Sequence, residues 1–187
     1  MKVNTEFHTR DNVRIRVFDK EGKPVKLFQP YNKFCAALSR FFGIKLGSMV
    51  YELSGANLIT NAGLVAMGAA TFDSSDSTKF TYIAVGSGST AADPTDTALG
   101  TELSGNGMSR ASGSYSSSTT TVANDTKSIS HTFTASGASA TIAETGVFSA
   151  ASAGTMINRY VLPSAITISD GSSIQITHEF QVARVSQ

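Results

Sequence analysis

The first segment that could carry chemistry is Gly86-Ser87-Gly88-Ser89-Thr90-Ala91, which fits G-x-G-x-x-A directly after an apolar strand pattern. Dinucleotide binding by this motif needs a helix to begin there, so that its first amides hold the pyrophosphate. The chain instead continues as Ala91-Ala92-Asp93-Pro94-Thr95-Asp96, a Pro-containing loop signature with no second strand-helix unit behind it. The motif therefore reads as a turn. The three histidines, His8, His131 and His178, fall in no metal-ligand spacing. His178 lies on the apolar side of an alternating strand pattern, which predicts a neutral, hydrogen-bonded core or interface residue. No serine sits in a G-x-S-x-G elbow. Glu144 and Glu179 read as solvated strand-face and turn residues rather than a glycosidase pair. Asp93 and Asp96 suit turns and caps better than a calcium loop. Cys35 falls on an apolar helical stripe, as a buried thiol would. Asn124-Asp125-Thr126 matches a glycosylation acceptor, which carries little weight without a signal peptide. No catalytic constellation emerges, so the expectation is a protein that is not an enzyme, with no cofactor and no metal.

The chain that must position these residues has 187 of them, 41% hydrophobic and only 16% charged, with Ser, Thr, Gly and Ala in excess. Low charge excludes a coiled coil and a charged disordered chain. A formal net charge of +1 gives no global signal for nucleic acid or an acidic membrane. The single cysteine excludes an internal disulfide and fits folding in a reducing cytosol. The opening residues show no apolar signal region. The uncharged run from Leu53 to Phe72 has a membrane-spanning length, but its Ser, Thr, Asn and Gly content makes insertion costly. It is expected to be a buried soluble segment, with no membrane partner.

The pattern along the chain is mainly β. Val13, Ile15 and Val17 alternate with Arg14 and Arg16; a turn over Asp19 to Pro24 lets Val25 to Phe28 pair back as a hairpin. Tyr31, Phe34, Cys35, Leu38, Phe41 and Phe42 recur at helical spacing between Pro30 and Gly43, where such residues suit helix ends. A second short helix is expected from Thr60, whose hydroxyl can cap it. Short strands are expected at Phe80–Val85, His131–Thr134, Ala140–Ile142, Gly146–Phe148 and Met156–Val161, with Asp170-Gly171 as a turn. The region from Arg110 to Lys127 reads as polar edge strands or a mobile excursion. In the last strand Ile174, Ile176, His178, Phe180 and Val182 share one face. Short strands separated by Gly, Ser, Thr and Pro turns predict a β-sandwich or jelly-roll-like domain with an N-terminal β-hairpin and one or two short helices.

Charge divides the chain. Residues 1–50 hold 10 of the 15 Lys/Arg and 4 of the 14 Asp/Glu, a net +6, while residues 51–187 carry −5. The expected organisation is a basic hairpin-helix docking segment over 1–50 and a β-sandwich-like domain over 51–187. Arg14, Arg16, Lys20, Lys23, Lys33 and Arg40 form the candidate docking surface for another protein or a neighbouring copy. Nucleic acid is disfavoured, because few aromatics interleave with these charges. Small-residue segments at Gly63 to Ala70 and Ser149 to Gly154 suit contact between copies, as a trimer or a ring.

Two blocks carry a resemblance. One is YIAVGSGSTAADPTDTALGTEL, from Tyr82 to Leu103, preceded by Asn57-Leu58-Ile59-Thr60 and followed by Arg110; the other is IAETGVFSAASAGTMINR, from Ile142 to Arg159. Together they resemble small structural proteins of tailed bacteriophages, of the tail-fibre-like, neck or minor virion type. The pattern departs at Thr145, where that type has Ala. The resemblance implies a non-enzymatic virion component made in the host cytoplasm, in a tail, neck or fibre-associated position. Capsid decoration is the alternative, and a receptor- or glycan-binding module a further one. It implies other virion proteins and copies of itself as partners, with a host receptor as a further candidate.

Overall fold

The computed structural model describes residues 7–31, 35–37, 47–76 and 78–184. Thirteen strands and one complete helix lie among them: β1 (Phe7–Phe18), β2 (Pro24–Val25), β3 (Leu27–Pro30), β4 (Gly47–Val50), β5 (Leu53–Ala56), β6 (Leu58–Ile59), α1 (Asn61–Phe72), β7 (Tyr82–Gly86), β8 (Ala111–Ser112), β9 (Ser114–Ser118), β10 (Thr126–Thr134), β11 (Ala140–Phe148), β12 (Met156–Ile168) and β13 (Ser173–Arg184). Most of the helix expected over 31–42 lies outside the described residues; residues 35–37 are helical and Cys35 is buried.

The strands form a sandwich. One sheet runs β2-β1-β13-β10-β9, with β5 also paired to β1, and the other runs β6-β12-β11-β7-β8. All strand pairs are antiparallel. Alternation places Val13 and Ile15 of β1, Ile129 and Phe133 of β10, and Ile174 and Ile176 of β13 against Ile83 and Val85 of β7, Ile142 and Val147 of β11, and Leu162 and Ile168 of β12. β1 pairs with β13 from Phe7↔Arg184 to Phe18↔Ser173, so part of the basic N-terminal segment is an inner strand of this domain. The expected hairpin is brief: β2 pairs β1 at only two positions, and β3 then leaves to pair with β4 in a separate two-stranded arm.

The chain changes sheets through single residues twice. Asn57 lies between β5 and β6, and Gly113 between β8 and β9. A side chain at 113 would meet Ile129 Cγ1 at 2.4 Å, so only glycine turns this corner beside the core. Between Ile142↔Ile166 and Glu144↔Val161, β12 carries extra residues that include Pro163, which donates no ladder hydrogen bond. The irregularity shifts the facing of β11. Thr145 and Val147 point into the sandwich, whereas Glu144, Gly146 and Phe148 point to the sheet's other side. A second small core covers that side, with Ala84, Leu99, Phe148 and Met156 packed under the loop that follows β7.

Helix α1 begins where the sequence predicts. Thr60 is its N-cap, and its Oγ1 accepts from Gly63 N at 2.9 Å and donates to Met156 O at 2.6 Å. The expectation of burial for Leu53 to Phe72 is corrected, because Leu64, Val65 and Phe72 of this helix are exposed. Apart from Met67, which packs against the main core, its inward residues are small, and a side chain at Gly63 would strike the Ile157 backbone at 2.3 Å. No described helix is long and apolar enough to cross a membrane.

Candidate functional site

Residues 87–101, which continue from the glycine motif, form a loop and not a helix, so the geometry for holding a pyrophosphate is not built. The loop's amides turn instead to the Glu144 carboxylate. Gly88 N donates to Oε1 at 3.0 Å, Thr101 N to Oε1 at 2.8 Å and Gly100 N to Oε2 at 3.0 Å. The glycines are needed for this approach: a Cβ at Gly86 would lie 2.5 Å from Glu144 Oε1, and one at Gly88 2.4 Å. Arg159, on neighbouring β12, completes the group. Its Nε and Nη2 reach Glu144 Oε2 at 2.8 and 2.7 Å, Nη1 reaches Asp96 Oδ2 at 2.8 Å, and Nη2 donates to Thr90 O at 3.1 Å. Glu144 is fully buried and the Arg159 side chain 3% exposed. Burial alone would lower the guanidinium pKa, but bonds to Asp96 and Glu144 outweigh it and raise the pKa. The result is a charge-assisted clamp fastening the 87–101 loop across β11 and β12.

A second clamp stands where that loop ends. Arg110 forms a bidentate pair with Glu102, Nε to Oε1 at 2.9 Å and Nη2 to Oε2 at 2.7 Å. Its Nη1 donates to Ala150 O at 2.9 Å and Ala153 O at 2.6 Å, and its guanidinium lies 3.6 Å over the Phe148 ring. One arginine thereby ties the loop to the 149–155 turn. The reading of Glu144 as a solvated or turn residue is corrected. A lone acid within Ile142–Phe148 and a lone base within Met156–Val161, in two otherwise uncharged strand patterns, was the available signal for a buried pair. Glu179 is also no partner for Glu144; it pairs with Arg14 on the opposite sheet.

His178 is fully buried between the sheets, as its strand pattern predicts. Thr145 Oγ1 donates to Ala84 O at 2.8 Å and therefore accepts from His178 Nε2–H at 3.1 Å. Asn158 Nδ2 donates to His178 Nδ1 at 3.0 Å, and Asn158 Oδ1 accepts from Val147 N at 3.0 Å. Desolvation pushes the imidazole pKa down to about 3, so the ring is neutral at ordinary pH. The Thr145 hydroxyl supplies the acceptor that His178 requires.

Of the six candidate docking residues, Arg14, Arg16, Lys20 and Lys23 lie among the described residues. Arg14 pairs with Glu179 and Arg16 with Glu52 at 2.5 Å, both on the outer face of the first sheet. Lys20 lies 3.7 Å from Glu21, and Lys23 is exposed in the same turn. Lys33 and Arg40 lie outside the described residues. Among the described residues of this part, the exposed large apolar side chains are Val25, Tyr31, Met49 and Tyr51, on and beside the β3–β4 arm, with Lys26 Nζ 5.3 Å over the Tyr51 ring. An open groove of about 600 Å³ lies by the β5–β6 corner, lined in part by Pro30, Asn57, Leu58, Ala92, Tyr160 and Pro163. Its described lining carries no carboxylate, histidine or thiol. Among the described residues, no cluster of three His, Cys, Asp or Glu could hold a metal ion. Asp93 serves a turn, accepting from Thr95 N at 2.9 Å, while its own amide donates to Asp96 Oδ2 at 2.8 Å.

Compared with known proteins, residues 59–180 match the family model described as Podophage GP4 fiber I protein gp80. No curated protein and no solved structure matches the chain.

Proposed function

We infer the function from kinship: the chain belongs to the family described as Podophage GP4 fiber I protein gp80, and it serves as a non-enzymatic structural subunit of a phage tail fibre. One observation carries this reading. The polar residues of the two motif blocks inside the matched region spend their bonding capacity on one another. Glu144 takes three loop amides and Arg159, and Arg110 takes Glu102 and two carbonyls. Groups that act on a substrate keep a free donor, acceptor or proton facing a cleft. These face inward and fasten a loop over a sheet, which is what a rigid building block needs.

The subunit is held in the particle through its N-terminal part, by contact with another virion protein. The support is the exposed apolar residues on and beside the β3–β4 arm, with Lys20 and Lys23 in the adjoining turn and Lys26 between β2 and β3. Apolar anchors within a charged rim are the usual anatomy of a protein contact. This arm lies outside the matched residues 59–180, as suits an attachment element particular to one particle. The test is identification of the proteins of salt-washed, gradient-purified virions, followed by imaging with a tagged copy. A fixed copy number in the tail apparatus is the expected result. Absence from washed particles, with abundance in the lysate, overturns the assignment, and density on the capsid faces would move it to decoration.

A further inference from the structure

Helix α1 is built the wrong way round for a surface helix of an isolated domain. Normally the large apolar residues face the core and polar ones face water. Here Ala62, Gly63, Ala66, Met67, Ala69 and Ala70 turn inward, and only Gly63 among all the helix residues is fully buried. The exposed residues are Asn61, Leu64, Val65, Gly68, Thr71 and Phe72. At 3.6 residues per turn these six fall within an arc of about 120°, with Gly68 at its centre. Leu64 is 54%, Val65 74% and Phe72 87% exposed, and a Cβ at Gly68 would meet nothing within 4 Å. The outward face is therefore an uncharged apolar ridge, Leu64 and Phe72, with a notch at its midpoint.

We propose that this face is a homotypic contact, in which α1 of one copy crosses α1 of a second copy at Gly68. Three features select a second copy as the occupant. The face is self-complementary: the notch at Gly68 lets two backbones approach, and the i±4 ridge through residues 64, 68 and 72 suits crossing against an identical ridge. No charged residue occurs from Leu53 to Phe72, so two copies bring no like charges together. Asp73 and Asp76 lie just past the C-terminal end of the helix. An antiparallel crossing about a two-fold axis sends these acids to opposite ends and sets Leu64 of each copy by Phe72 of the other. A parallel crossing would bring all four acids together, and the two helix dipoles also favour the antiparallel arrangement. The patch spans a few hundred Å² per copy, below the roughly 800 Å² per partner of a standard stable complex. The pair is thus weak in free solution and is secured by the high local concentration inside a particle.

The proposal rests on the fibre-subunit reading for its biological setting, but the contact is measured on the purified full chain, so the two fail separately. Gly68→Cys places a thiol at the crossing point, and Gly105→Cys, also exposed in open space, is the control. Under mild oxidation at about 100 µM, Gly68→Cys should form a covalent dimer at least about tenfold faster than the control, and adding Val65→Glu should abolish that advantage. Sedimentation equilibrium of the unmodified chain should show reversible dimers, lost in the Val65→Glu variant. Crosslinking no faster than the control overturns the proposal. So does an advantage that survives Val65→Glu, or a trimer or ring whose mass Val65→Glu leaves unchanged. Absence of the chain from virions, with crosslinking intact, sinks the functional reading and leaves this contact standing.

Discussion

His178 Nε2 lies 3.1 Å from Thr145 Oγ1, and this hydrogen bond joins the two sheets through the middle of the core. Adding a proton to the ring would require Nδ1, which now accepts from Asn158, to become a donor facing a donor. The folded protein therefore binds this proton only near pH 3, whereas the unfolded chain binds it near 6.5. Between those values unfolding takes up a proton, so the histidine's contribution is complete above about pH 6.5 and is lost as the pH falls. One proton corresponds to about 1.4 kcal/mol per pH unit well inside that window. Urea unfolding at pH 7 and pH 5 should show a fall of about 2 kcal/mol that is absent in His178→Gln. Equal pH dependence in both proteins would place the sensitivity elsewhere.

Removing one side of the Glu144–Arg159 pair leaves a buried charge without its partner. Glu144→Ala should destabilise the domain by about 3–5 kcal/mol. It also deprives three loop amides of their acceptor, so limited proteolysis should cut first within residues 87–101. Gly88→Ala should reproduce part of this effect with both charges in place, because its Cβ would lie 2.4 Å from Glu144 Oε1. Unchanged unfolding midpoints in both variants would show that the loop is held by other contacts.

Alternation made the core-facing strands legible in the sequence. Ile174, Ile176 and His178 are buried as their period of two requires, and Thr60 caps α1 as its hydroxyl and position suggest. Glu144 was opaque for a physical reason. The irregularity between Ile142 and Glu144 changes which side of β11 each residue faces, and the cover over that side comes from a loop more than forty positions earlier in the chain. Local pattern carries no information about such long-range cover. For the basic residues, the number was legible but the pairing was not: Arg14 finds Glu179 across a distant strand pair that only the fold brings together. Burial was misjudged for α1 because apolar composition shows that a segment must be covered, and not by what.

Arg110 tests geometry against charge. Lysine retains the positive charge but not the planar fork that engages both Glu102 oxygens, two carbonyls and the Phe148 ring together. Arg110→Lys should cost about 2 kcal/mol, close to the cost of Arg110→Ala, because the bidentate and stacked contacts are lost in both. Thermal unfolding of the three proteins in parallel checks this. A lysine variant as stable as the parent would reduce the site to a point charge.

Attachment to the particle can be tested only at residues whose loss leaves the ion pairs intact. Reversing Arg14 to Glu would set like charge against Glu179, and reversing Arg16 would do the same against Glu52. Poor incorporation of those variants would report a disturbed sheet as readily as a lost contact. The β3–β4 arm avoids this difficulty. Leu27 of the arm is buried in the core, while Met49 and Tyr51 are 58% and 54% exposed, so their outward side chains can change without opening the sandwich. Attraction from Lys20, Lys23 and Lys26 is screened over about 8 Å at physiological salt, so it should guide encounter while the apolar residues hold the complex. The double variant Met49→Ser/Tyr51→Ser should therefore reduce incorporation into particles at least about tenfold, with urea unfolding unchanged within about 0.5 kcal/mol. Lys23→Glu should slow incorporation and make it less sensitive to salt, with a smaller final loss. Quantitative mass spectrometry of purified particles, with unfolding curves on the same proteins, provides both readings. Full incorporation of the Met49→Ser/Tyr51→Ser chain would exclude the arm as the attachment surface.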